Sequence, residues 1–202
     1  MRFAGLLIAY LLGSTPFAWL AGRLLKGIDL RRFGSGNLGA TNVYRTLGGP
    51  AAALVLLLDL AKGAVPALFF FGVFGGDAHW WPLAYGVAAV AGHVRPYFGM
   101  FKGGGKGVAT ASGVFAALAP GPFLASVLTF VVVVGISRYV SLGSLVGAVA
   151  LTLALLVERG ASSPLFQVAL PVCLFVFWTH RANIGRLRRG EESRIGQVNK
   201  TA

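Results

Sequence analysis

Acidic residues are scarce in this chain: six Asp and Glu stand against eighteen Lys and Arg in 202 residues, a formal charge of +12. Catalysis by a pair of buried carboxylates therefore has little to draw on. Cysteine is rarer still. Cys173 stands alone inside an apolar run, which excludes an intramolecular disulfide and leaves the redox compartment unreadable. The three histidines, His79, His93 and His180, show no metal-ligand spacing with one another or with Cys173, so neither a metal nor a cofactor is expected. None of them is followed by Asp five positions later, and no G-x-S-x-G elbow occurs, which removes two common nucleophile and acid/base arrangements.

What the chain has in quantity is apolar residue, 56% of the total against 12% charged, in runs too long and too frequent for a soluble core of this size. The runs at 3–25, 50–74, 80–98, 107–119, 121–137, 140–158 and 164–180 predict an all-α integral membrane protein with seven transmembrane helices. The first run lacks the cleavage pattern of a secretory signal and reads as a retained span. One polytopic domain covers 1–202, ending in a short cytoplasmic basic tail at about 181–202. The fourth run is short, since about 13 residues rise about 20 Å against an apolar slab of about 30 Å.

Charge supplies the orientation. If every run crosses and the 26–49 loop is cytoplasmic, then Lys26, Arg31, Arg32, Arg45, Lys102, Lys106, Arg138 and the arginines of the tail all fall inside. The outer side keeps Arg2 and Arg159 with the acids Asp77 and Glu158. This is the asymmetry of the positive-inside rule, and it puts the N-terminus outside and the C-terminus in the cytoplasm. The positive charge thus serves the lipid bilayer and anionic substrates rather than nucleic acid. Monomer is the favoured oligomeric state.

Three inner-face stretches concentrate the polar chemistry. In FGSGNLGATNVYRTLG, residues 33–48, glycines such as Gly36 permit positive φ, while Ser35, Asn37, Thr41, Asn42 and the Arg45 fork offer donors suited to an oxyanion. If a helix begins near Leu38, Thr41 and Arg45 share a face. A glycine-rich connector with helix caps fits that composition equally. FKGGGKGVATASG, residues 101–113, departs from a nucleotide P-loop, because Met100 stands where the first glycine belongs and Gly107 replaces the Ser or Thr after Lys106. Gly103, Gly104, Gly105 and Gly107 around Lys106 at a helix start still suit an anion, against the alternative of a flexible turn whose Lys102 and Lys106 only follow the positive-inside rule. In HRANIGRLRRGEE, residues 180–192, His180 and Asn183 share a face, and Glu192 is a partner for a nearby arginine. Ser141 and Ser144 are caps or reach a shared pocket. Asp59 and Lys62 read first as a structural pair within a span, and His93 as structural support at a helix end.

Taken together and in this order, GSGNLGATNVYRTLG, GHVRPYFGMFKGGGKGVAT and HRANIGRLRRGEE closely resemble the bacterial acyl-phosphate:glycerol-3-phosphate acyltransferase family (PlsY). LDLAKGAVP at 58–66 and SRYVSLGS at 137–144 extend the likeness over most of the chain. The resemblance implies a bacterial inner-membrane enzyme, facing the cytoplasm, that moves a fatty acyl group from acyl phosphate to the sn-1 hydroxyl of glycerol 3-phosphate. Lysophosphatidic acid and inorganic phosphate are the products. By resemblance Ser35, Asn37, Thr41 and Arg45 contact phosphate and the reacting centre. Gly103, Gly104, Gly105, Lys106 and Gly107 hold glycerol 3-phosphate, and His180 and Asn183 lie beside the hydroxyl and the acyl carbonyl. The alternative from another class is a small transporter of a phosphorylated solute or lipid, against which the two halves show no convincing internal repeat.

Overall fold

The structure, a computed structural model, describes residues 1–77, 79–99 and 103–196. The expectations for Lys102 and for the last six residues of the tail lie outside the described residues. Among the described residues every regular element is helical and no strand occurs. Four helices are long and apolar enough to cross a membrane, Arg2–Lys26, Gly49–Phe74, Pro120–Ser137 and Val140–Arg159, and a bent pair, Pro164–Thr179 with Arg181–Arg188, makes a fifth candidate. Each of the seven apolar runs contains helix, but those at 80–98 and 107–119 do not reach the length of a candidate span.

The chain divides into two compact units, Met1–Leu118 and Ala119–Ala202. The first holds α1 (Arg2–Ser14), α2 (Phe17–Lys26), α3 (Ala40–Leu47), α4 (Gly49–Phe74), α5 (Trp81–Val94) and α6 (Val108–Leu118). The run at 3–25 is broken rather than continuous, because Pro16 pushes Thr15 out of the helical region (ψ 117°). Pro96 acts in the same way beyond α5, where Arg95 has already left the helical region (ψ 72°), so the helix stops short of residue 98. Helix α6 has only 11 residues and rises about 16 Å, roughly half the apolar slab.

Helices within this unit approach closely because glycines leave room. A Cβ on Gly13 of α1 would collide with the Ala89 carbonyl of α5, and one on Gly92 of α5 with the Tyr10 carbonyl of α1. Helices α4 and α6 interlock reciprocally, Gly63 against the Thr110 carbonyl and Gly113 against the Leu60 carbonyl. Lipid tails are as apolar as leucine, so such backbone-to-backbone packing is a main source of cohesion between spans.

The second unit holds α7 (Pro120–Ser137), α8 (Val140–Arg159), α9 (Pro164–Thr179) and α10 (Arg181–Arg188). Arg138 turns the chain from α7 to α8 in the left-handed region (φ 64°), and Ser126 Oγ of α7 donates to the Gly147 carbonyl of α8 at 2.8 Å. Helix α10 occupies the stretch expected to be tail. Its charged composition hid it from an apolar-run reading, and it leaves α9 at a 58° bend centred on His180.

The reciprocal glycines give a controlled comparison. Gly113→Leu is expected to lower the unfolding midpoint in detergent by an overpacking cost of about 1–3 kcal/mol or more. Gly135→Leu, where a Cβ meets nothing within 4 Å, should leave it nearly unchanged. Equal midpoints for the two variants would show that the α4–α6 approach does not hold the unit together.

Candidate active site

In the first unit the polar loop after α2 is shaped by its own side chains. Asp29 is bonded to Arg31 at 2.7 Å, and that guanidinium, with its hydrogen bonds, holds the Asp29 carboxyl far below the usual carboxylate range. Beyond it Gly34 and Gly36 take left-handed φ values of 58° and 69°, which leaves the following residues free to fold over Asn42. That side chain is buried. It accepts the Ser35 N–H at 2.9 Å and donates to the Leu30 and Phe33 carbonyls at 3.2 and 3.1 Å. Asn42, expected as a substrate contact, thus spends its amide on framing the loop.

Helix α3 begins at Ala40, so Thr41 and Arg45 lie one turn apart on one face, as the sequence indicates. Ser35 and Arg45 are exposed, and Asn37 and Thr41 are partly so. All four side chains of the first motif thus reach the surface at least in part.

The glycine loop meets this motif directly. Gly105 is wedged where a Cβ would strike the His93 ring at Nε2 and lie 2.8 Å from the Leu38 carbonyl. Its own N–H donates to the His93 carbonyl at 3.2 Å. Gly103 (φ 73°) passes the Arg31 side chain, and Gly107 (φ 83°) leads into α6, its carbonyl accepting the Ala111 N–H at 2.8 Å. The loop therefore lies at the positive end of α6, with half-buried Lys106 beside it. This arrangement can take a phosphate. His93 is more than a helix-end anchor, since both its backbone and its ring bear on the loop.

Beneath the loop lies a feature that sequence reading did not assemble. Lys62 Nζ sits 2.7 Å from Asp59 Oδ1, and His93 Nδ1 lies 3.6 Å from the same oxygen, all three side chains being buried. Lys62 also donates to the Thr15 carbonyl at 3.0 Å and lies over the Phe17 ring. The one available signal was the cost of two charges inside an apolar run.

In the second unit Glu192 gathers the third motif. Its carboxylate accepts Ser141 Oγ at 2.7 Å, Asn183 Nδ2 at 2.6 Å and Arg186 Nε at 2.7 Å, with the Glu192 side chain 5% exposed. Burial pushes its pKa up, but these three donors outweigh it and hold the group below its ordinary 4.5. Ser141, expected as a cap or as reaching a shared pocket, donates to this carboxylate, and Ser144 donates back to the Val140 carbonyl of its own helix at 2.9 Å. His180 is buried at the α9–α10 bend. Its Nδ1–H donates to the Val176 carbonyl at 2.8 Å, which in the neutral ring leaves the lone pair on Nε2. Among the described residues no three His, Cys, Asp or Glu side chains converge as a metal site.

Comparison with known proteins follows the same lines. Residues 3–190 match the family model described as "Glycerol-3-phosphate acyltransferase". The chain is similar to the glycerol-3-phosphate acyltransferase of Anaeromyxobacter dehalogenans, 45% identical over 188 residues and covering 92% of this chain and 93% of that one. It is 44% identical over 191 residues to the Listeria monocytogenes protein of the same description, covering 94% of each. Among solved structures it resembles PlsY, described as an integral membrane glycerol 3-phosphate acyltransferase. The glycerol 3-phosphate form superposes with TM-score 0.89 at 42% identity over 96% of both chains. The lysophosphatidic acid form gives TM-score 0.86 at 41% identity, over 96% of this chain and 95% of that one.

Glu192 offers a test by acid. A carboxylate whose folded pKa lies below its unfolded value stabilises the fold above about pH 4.5, and that contribution disappears as pH falls through the folded pKa. Glu192→Gln is expected to lose about 2 kcal/mol or more of unfolding free energy at neutral pH. The gap to the unaltered protein should close as the pH is lowered past that range. A gap that persists in acid would mean that the carboxylate charge is not what binds the three donors.

Proposed function

The chain belongs to the glycerol-3-phosphate acyltransferase family, and on that premise we propose that it transfers a fatty acyl group from acyl phosphate to the sn-1 hydroxyl of glycerol 3-phosphate. Lysophosphatidic acid and inorganic phosphate are released, and the reaction starts phospholipid synthesis. The observation that carries this reading is Gly105, whose contacts with Leu38 and His93 bring the first and second motifs to one place. Two glycine-rich turns with an arginine and a lysine are suited to a phosphate.

In this reading the 103–107 loop with Lys106 holds the phosphate of glycerol 3-phosphate. Ser35, Asn37, Thr41 and Arg45 bear on the acyl phosphate and the developing charge, and His180 and Asn183 attend the hydroxyl and the acyl carbonyl. The sn-1 oxygen adds to the carbonyl carbon. The bond from that carbon to the bridging oxygen then breaks, and phosphate departs with the electron pair. The hydroxyl proton passes to a substrate phosphate oxygen. Acyl phosphate is a mixed anhydride with a good leaving group, so positioning and charge neutralisation account for much of the rate. His180 orients rather than abstracts. The scarcity of carboxylates favours this division of labour.

The surrounding proposal is a monomeric, seven-span protein of the bacterial inner membrane, with the N-terminus outside and the site on the cytoplasmic face. The placement of basic residues supports it.

Purified protein given palmitoyl phosphate and glycerol 3-phosphate should release phosphate and form lysophosphatidic acid without any thioester. Arg45→Ala and Lys106→Ala should each reduce kcat/KM by about 10²-fold or more. No product from folded protein would sink the reading. His180→Ala should depress the rate across the pH range without deleting a limb of the profile. Loss of a limb near the ordinary imidazole value, with substrate binding intact, would instead make His180 the base.

A further inference from the structure

Three titratable side chains lie buried beneath the glycine loop without any part in the chemistry above. Asp59, Lys62 and His93 are each less than a tenth exposed. Ionisable groups are costly in a membrane span, and a buried ion pair is often no more stabilising than apolar residues of the same volume. Stability alone is therefore a poor account of them.

Their geometry forms a chain of contacts that ends at the loop. Lys62 is held by the Thr15 carbonyl at 3.0 Å and the Phe17 ring, and presents its ammonium to Asp59 Oδ1 at 2.7 Å. Pro66 lies four residues beyond Lys62 in α4 and has no N–H to offer the Lys62 carbonyl, which sets this turn apart from the rest of the helix. Asp59 Oδ1 in turn faces His93 Nδ1 at 3.6 Å. The opposite edge of the imidazole, at Nε2, abuts Gly105 so closely that no side chain fits there. A cavity of about 10 Å³ lies between this cluster and Gly104 and Gly105, close to the smallest space that admits one water, at roughly 10–15 Å³. The loop thus rests on an imidazole whose far edge faces a carboxylate at 3.6 Å, and that carboxylate lies against an ammonium at 2.7 Å.

We infer that Asp59 and Lys62 are positioning residues for substrate binding: through His93 they fix the height and tilt of the 103–107 loop, so that its N–H groups keep the spacing that fits the phosphate of glycerol 3-phosphate. This rests on the reading that the loop holds that phosphate. Neither side chain touches substrate. A binding site must hold its groups to within about 0.5 Å, and a supporting layer of locked side chains provides that precision.

The test uses the full-length protein in detergent or liposomes. In Asp59→Leu/Lys62→Met the pair is removed together, leaving no unpaired buried charge. In His93→Phe the pair stays and only the ring's link to Asp59 is lost. Each variant should keep its unfolding midpoint yet raise KM for glycerol 3-phosphate about tenfold or more, with kcat within about threefold and the acyl-donor KM within about twofold. The triple variant should be no worse than the double one, since the residues act through one another. An unchanged KM for glycerol 3-phosphate and for the donor, or failure of both variants to fold, would overturn the proposal and leave the cluster a framework element. A rise confined to the acyl-donor KM would keep the positioning role and instead refute the assignment of glycerol 3-phosphate to this loop.

Discussion

The ion pair between Asp59 and Lys62 is the constraint that sets how the helix ends around the glycine loop meet, whatever it adds to stability. It lies one turn apart within α4, yet its partners come from elsewhere: the Thr15 carbonyl at the α1–α2 break, the Phe17 ring at the start of α2, and the His93 ring at the end of α5. A charge in hydrocarbon must be paired or wet, so each of these elements is held where it can satisfy one end of the pair. The broken first helix follows the same logic. Its unwound turn presents a backbone carbonyl to Lys62, which an unbroken helix would have kept for its own ladder. Irregular backbone at membrane depth is tolerated only where protein or water completes it.

The second unit solves a similar problem with the opposite sign. Glu192 is a nearly buried acid in a basic region, and it gathers a hydroxyl, an amide and a guanidinium from α8 and α10. The strand of chain that carries it folds back along the start of α8, with the Ile195 N–H donating to the Arg138 carbonyl at 2.8 Å and Arg194 bonded to and stacked on Tyr139. The third motif is therefore a small folded piece and not a loose fringe of charge. Asn183 Nδ2 is held by Glu192 and His180 Nδ1 by the Val176 carbonyl, so both side chains are oriented by the protein itself.

Much of this was legible in the sequence, and the reasons differ by element. The apolar runs gave helices because a backbone in lipid has few alternatives. The shared face of Thr41 and Arg45 followed from a glycine at 39 that lets α3 begin where the motif needs it. The glycines of 103–107 marked a turn at a helix start, and Gly103 and Gly107 do take left-handed φ values ahead of α6. What could not be read were contacts between distant stretches. Nothing local to His93 says that its ring faces Asp59 on one side and Gly105 on the other. Nothing local to Asn42 says that its amide closes the loop it belongs to, and Ser141 gives no sign that its hydroxyl belongs to an acid some fifty residues away. Helix α10 escaped because its residues are charged and its support is a carboxylate outside the helix.

The shortness of α6 has a consequence for the backbone around it. Eleven residues rise about 16 Å, about half of an apolar slab of about 30 Å. Where a helix stops that far short of its longer neighbours, the chain beyond it must find its hydrogen-bond partners in protein or water. At the start of α6 the protein supplies one of them: the Gly105 N–H donates to the His93 carbonyl at 3.2 Å, so the end of α5 completes the turn that leads into α6.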